Sequence, residues 1–116
     1  MKGKLSDEIR LRHILDAIHN IENFSSGKSK NEFYNDLMYR FSIERQLEII
    51  GEAANNLSSD LKNKYTDTPW EKIISFRNFL AHEYFGIDPE LVWGIIELHI
   101  PVLKQDIEKI LNQIST

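Results

Sequence analysis

Arg77 stands inside an apolar helix face, and that placement restricts the fold more than any other feature of the chain. At about 100° per residue, Trp70, Ile73, Ile74, Phe76, Leu80, Ala81 and Tyr84 mark out one broad apolar arc, and Arg77 projects within it. A guanidinium so placed must be paired, must line a wet cleft, or must destabilise the fold. Asn78 and His82, four residues apart, share a more polar face with Glu71 and Ser75. On an ideal helix Arg77 and His82 lie roughly 140° apart, so helical geometry alone does not unite them. Three things would resolve the conflict: the reach of the Arg side chain, a loosening of the helix before Gly86, or a second chain supplying half of a site.

The surrounding sequence reads as helix throughout. Ser6 is expected to cap a first helix with Asp7 and Glu8 in its first turn, and Leu11, Ile14, Leu15, Ile18 and Ile21 recur at helical spacing as far as Phe24. Ser25-Ser26-Gly27-Lys28 is a turn. Ser29 and Glu32 form a capping box that opens a second helix, expected to run to about Leu57 because no Gly or Pro intervenes before Gly51. Its apolar stripe changes direction: Phe33, Leu37 and Phe41 share one face, and Leu47, Ile50, Ala54 and Leu57 another. Two apolar faces imply two contacts, one with the chain's own bundle and one with a partner. Glu44, Glu48 and Glu52 prolong the first line, either as a solvated acidic ridge or as the source of a counter-ion for Arg77.

Ser58 to Tyr65 is expected to make a short helical turn. Thr68-Pro69-Trp70-Glu71 is a helix start, with a capping Thr, Pro at the first position and Glu closing the box; this third helix carries Arg77 and stops at Gly86. Asp88-Pro89-Glu90 starts a fourth, with core positions Leu91, Ile95, Leu98, Val102, Ile107, Ile110 and Ile114 and a kink at Pro101. No strand pattern competes. The predicted fold is all-α, an antiparallel bundle of four to five helices forming a dimer, with residues 1–116 as one domain.

Composition narrows the chemistry. With no cysteine, disulfides, thiolate metal sites and Cys nucleophiles are excluded. A net charge of −4 argues against a bulk nucleic-acid coat protein but not against a local pocket that binds RNA transiently. No apolar run approaches the ~20 residues of a membrane span, and the N-terminus lacks the apolar core of a signal peptide, so a cytoplasmic protein is expected. His82-Glu83 begins like a zinc-protease motif, but Gly86 occupies the place of the second His. The Glu44, Glu48, Glu52 ladder lacks the Glu-x-x-His pairs of a di-iron bundle. Gly-rich phosphate loops and nucleophile elbows are absent, and His13, His19 and His99 are scattered without partners. Neither a metal nor a cofactor is expected.

Arg77-Asn78, His82 and Tyr84 together resemble the Arg-x4-His-x-Tyr signature of the HEPN superfamily, in particular its HepT-like toxin branch. The block from Glu44 to Ala54 resembles that branch's second helix, and Pro69-Trp70 and Val92-Trp93 fall where it has similar pairs, so the likeness runs from about residue 5 to 112. The resemblance implies a homodimer that brings the motif of both chains into one cleft. Similar proteins are toxins of two-gene toxin–antitoxin pairs; many cut RNA without a metal, and their antitoxin is a minimal nucleotidyltransferase for which Tyr84 would be the acceptor of AMP. The superfamily also holds non-cleaving members, so the alternative is a non-catalytic nucleotide- or RNA-binding module. A purely structural dimeric bundle is the third possibility.

The chemistry of the residues agrees with cleavage. Metal-free RNA cleavage needs a base for the 2′-hydroxyl, an acid for the leaving oxygen and positive charge on the phosphorane. An imidazole serves as acid or base near neutral pH. Arg makes bidentate, permanently charged phosphate contacts, and Asn78 can orient the His or donate to a phosphate oxygen. One His per chain cannot be acid and base at once, but two across a twofold axis can. The expected site is therefore Arg77, His82 and Asn78, with Tyr84 as a modification site and Glu48 or Glu52 supporting Arg77.

Overall fold

The computed structural model describes residues 4–83 and 86–114. Among these the chain is helical with no strand: α1 (Lys4–Ser25), α2 (Lys30–Asn35), α3 (Leu37–Asn55), α4 (Ser59–Lys64), α5 (Trp70–His82), and a last run made of α6 (Pro89–Gly94), a π-helical turn (Ile95–His99) and α7 (Ile100–Ile114). Counting that run as one gives six helical segments where four to five were expected. α3 packs against both α1 and α5, and α7 lies on α1. The core forms between them, with Leu11, Ile14 and Ile18 of α1, Ile43 and Ala54 of α3, and Ile107 of α7 all at 0 % exposure. Each such aliphatic side chain contributes about 1.5–3 kcal/mol on burial.

The extra segment arises at Asp36. The Ser29–Glu32 capping box forms as expected, but α2 ends after six residues, and the Asp36 side chain accepts the backbone N–H of Tyr39 at 3.1 Å to cap α3. A short acceptor that competes with the helix for its own backbone breaks a helix without Gly or Pro. Arg40 donates to the Tyr34 carbonyl at 2.7 Å, satisfying an acceptor that α2 leaves open at its end. The break also splits the expected Phe33, Leu37, Phe41 face. Phe33 is buried against Tyr39 and Trp93, with ring centroids 5.0 and 5.5 Å away, whereas Leu37, Met38 and Phe41 are exposed.

Neither expected cap, Ser6 or Thr68, forms, and Asp7 and Thr68 make tertiary ties instead. α1 already includes Lys4, so Ser6 lies inside it. Asp7 is buried and accepts from the backbone N–H of Ser58 at 2.8 Å and from its hydroxyl at 2.6 Å. Ser58 in turn caps α4. Thr68 likewise does not cap α5: its buried hydroxyl donates to Asp106 of α7 at 3.0 Å, and α5 begins at Trp70 without a side-chain cap. Asp88 and Pro89 start α6 as expected.

The last helix continues through Pro101. The Ile100 N–H bonds the carbonyl of Ile95, five residues back, which widens the turn beside a ring that would otherwise meet the carbonyl four residues before it. Its core stripe needs correction. Ile107 and Ile110 are buried as expected, but Leu91, Leu98 and Val102 are exposed, and Val92, Ile100, Leu103 and Leu111 are buried instead. The helix carries two adjacent apolar stripes, and periodicity does not say which one faces inward.

Candidate active site on α5

The site helix is anchored by Trp70 and Leu80, both buried, while Ile73, Ile74, Phe76 and Arg77 are half-buried. The indole N–H of Trp70 donates to the Tyr65 carbonyl at 2.9 Å, fixing the first turn to the preceding loop. Arg77 lies at the contact between α5 and α3. Its Cβ and Cγ rest directly against the backbone of Gly51, a residue buried in the middle of α3.

From that seat the guanidinium turns along its own helix. Nη1 of Arg77 donates to Oδ1 of Asn78 at 3.0 Å. The backbone carbonyl of Asn78 lies 2.9 Å from Nδ1 of His82. A carbonyl only accepts, so this bond places a proton on Nδ1 and, in the neutral ring, the lone pair on Nε2, which makes no hydrogen bond to the described residues. Asn78 sits about 100° from Arg77 and 40° from His82 around the helix axis, between the two. The conflict between Arg77 and His82 is thus bridged within one chain: Asn78 holds the cation by its side chain and the imidazole by its main chain. Nδ2 of Asn78 makes no hydrogen bond to the described residues. Asn78 and His82 are exposed, and α5 ends at His82, with Glu83 following as its C-cap. Tyr84, the fourth expected site residue, lies outside the described residues.

Glu48 and Glu52 do not serve Arg77 in this arrangement. Among the described residues the ion pairs are Arg12 with Glu8 and Lys104 with Glu22, and neither involves Arg77. The guanidinium instead bonds the Asn78 side chain. Burial holds the Glu44 carboxyl above its ordinary range; nearby Arg40 lowers it and Glu48 raises it further. Among the described residues no three His, Asp or Glu side chains gather as a metal site requires.

The other flank of α5 carries a feature that the sequence reading missed. A cavity of about 540 Å³ opens between α5 and the last helix, lined by Ile73, Phe76, Phe79, Leu91, Ile95 and Val102 among others. Phe76 and Phe79 stack along its wall with ring centroids 5.8 Å apart. Leu91 and Val102 of the misplaced stripe belong to its opposite wall, together with Ile95, Ile100 and Leu103. Two apolar stripes on residues 89–114 were the available signal.

The chain matches the family described as Ribonuclease HepT-like over residues 14–110. It is 38 % identical over 98 residues to a Methanocaldococcus jannaschii protein named as a putative RNase, covering 84 % of this chain and 90 % of that one. It is 36 % identical over 107 residues to a Thermococcus cleftensis protein named as a probable ribonuclease HepT, covering 92 % and 97 %. A protein of Caldanaerobacter subterraneus, also named as a putative RNase, is 35 % identical over 103 residues, covering 89 % and 92 %. No solved structure gave a significant match.

Proposed function

The chain belongs to the HepT-like ribonuclease family, and on that premise we propose that it is the toxin of a two-gene toxin–antitoxin pair, a metal-independent endoribonuclease acting as a homodimer. The observation that carries this reading is the double hold of Asn78. One residue bonds the guanidinium through its side chain and the imidazole Nδ1 through its main chain. In the proposed reaction, Nε2 of one His82 takes the proton of the 2′-hydroxyl as that oxygen attacks the neighbouring phosphorus. The bond from phosphorus to the 5′-oxygen breaks, and His82 of the second copy, as imidazolium, protonates the departing oxygen. Arg77 and the Nδ2 of Asn78 stabilise the charge on the phosphorane. The products are a 2′,3′-cyclic phosphate and a free 5′-hydroxyl. Relatives named as ribonucleases support the activity; no helix among the described residues is long and apolar enough to cross a membrane.

The proposed antitoxin is a minimal nucleotidyltransferase that transfers AMP from ATP to the Tyr84 phenol, releasing pyrophosphate. The adduct would set a phosphodiester two residues from His82 and repel the RNA backbone. Purified protein incubated with total RNA in EDTA is expected to give fragments ending in cyclic phosphate. The same protein incubated with the cognate nucleotidyltransferase and ATP is expected to gain AMP masses and lose cleavage. RNA that is bound but left intact would assign the chain to the non-cleaving alternative, and equal modification of Tyr84→Phe would remove the proposed control.

A further inference from the structure

Gly51 occupies an interior helix position, where glycine is disfavoured relative to alanine. Its backbone is not in the left-handed region, which among the described glycines is reached only by Gly27 and Gly86, so conformational freedom does not explain it. Space does. A Cβ added to Gly51 would run into Cβ of Arg77 and would stand 2.9 Å from its Cγ and 3.2 Å from the Ile73 carbonyl oxygen. These obstacles are a side-chain root and backbone, not a flexible tip. Gly94, also helical, meets nothing within 4 Å.

We infer that Gly51 is a positioning residue: its bare backbone lets α5 lie against α3 closely enough to seat the Arg77 stem, and so fixes where the guanidinium meets a substrate phosphate. The side chain is then held at both ends, at Cβ and Cγ by Gly51 and at Nη1 by Asn78. A methyl group at position 51 must be accommodated either by moving α5 away from α3 or by changing the Arg77 rotamer. Both displace the guanidinium, and misplacement by about 1 Å costs on the order of 10²-fold in a reaction that depends on it. The functional half of this inference rests on the ribonuclease reading; the structural half rests on the contact between α3 and α5 alone.

The test is a four-way comparison of wild type, Gly51→Ala, Arg77→Gly and the double variant, with Gly94→Ala as control. Gly51→Ala is expected to lower Tm by about 5–15 °C in the wild-type background. In the Arg77→Gly background, where Cβ and Cγ of Arg77 are gone and only the Ile73 carbonyl at 3.2 Å remains, the loss should be less than half as large. Binding of an RNA oligomer with 2′-deoxy substitution is measured over a salt series. Arg77→Gly and Gly51→Ala should each reduce the slope of log affinity against log salt by about 0.7, one phosphate contact, and the double variant should reduce it no further. Gly94→Ala should leave the slope unchanged. If Gly51→Ala does not fold, recovery of folding in the double variant supports the seat, and failure of both overturns it. Equal Tm losses in the two backgrounds also overturn it. A normal salt slope in folded Gly51→Ala would remove the positioning role. Wild type that binds no RNA would sink the ribonuclease reading, while the Tm comparison still decides the seat.

Discussion

On one flank of α5, Asn78 and His82 are held by bonds spanning one and four residues; on the other, Phe76 and Phe79 face a cavity whose far wall comes from the last helix. The first flank is polar, exposed and assembled almost entirely within one helix. The second is apolar and exists only because distant segments meet. Chemistry placed by local bonds survives changes in the surrounding packing, whereas a cavity is sensitive to every wall that makes it. Arg77 lies between the two regimes, since its tip is held locally and its root by α3.

The sharpest way to break this contrast is on the polar flank. His82→Ala should lower cleavage by about 10²–10⁴-fold. Its stability should change by no more than about 0.5 kcal/mol, because the ring is exposed. Asn78→Ala releases Arg77 but keeps the carbonyl that orients His82, so its loss should be smaller, about tenfold. Cleavage rates and thermal melts of the two variants check both statements, and retained cleavage in His82→Ala would refute the mechanism.

An intermediate effect is expected on the apolar flank, with the opposite signature. Phe76→Ala removes a half-buried ring stacked on Phe79 and should cost about 2 kcal/mol of stability. Cleavage measured at 20 °C should stay within about twofold of wild type. A large fall in cleavage by a folded Phe76→Ala protein would show that the flanks are coupled.

The smallest effect belongs to Glu44 of α3. Burial raises the Glu44 carboxyl, so its protonated form is favoured on folding. That contribution is fully present below the ordinary Glu range and is lost as pH rises through the raised value. Glu44→Gln should therefore match wild type near pH 4 and become more stable towards pH 7, by a few tenths of a kcal/mol because the group is largely solvated. Urea titrations at the two pH values test the sign.

Much of the polar flank could be read directly. Arg77, Asn78 and His82 are close in sequence, and helical angles place Asn78 between the other two. The Ser29–Glu32 and Asp88–Pro89 helix starts were equally legible, because caps are local. What escaped depends on tertiary alternatives. Asp36 breaks a helix that propensity would continue, and Thr68 and Asp7 spend their oxygens on Asp106 and Ser58 instead of on their own helix starts. Leu91 and Val92 are both apolar, and only packing decides that Val92 is the buried one. The role of Gly51 was not legible either, because the atoms it makes room for lie on another helix.

The tie between Asp7 and Ser58 gives the molecule a long-range dependency. α4 has six residues, too few to persist alone, and its cap is completed by a carboxylate fifty-one positions earlier. The loop that follows α4 receives the Trp70 indole and so sets the entry of the site helix. Support for the helix that carries the proposed site therefore reaches back to Asp7 of α1. A tag or fusion partner that pulls Asp7 away from Ser58 would be felt at the proposed site without touching Arg77, Asn78 or His82.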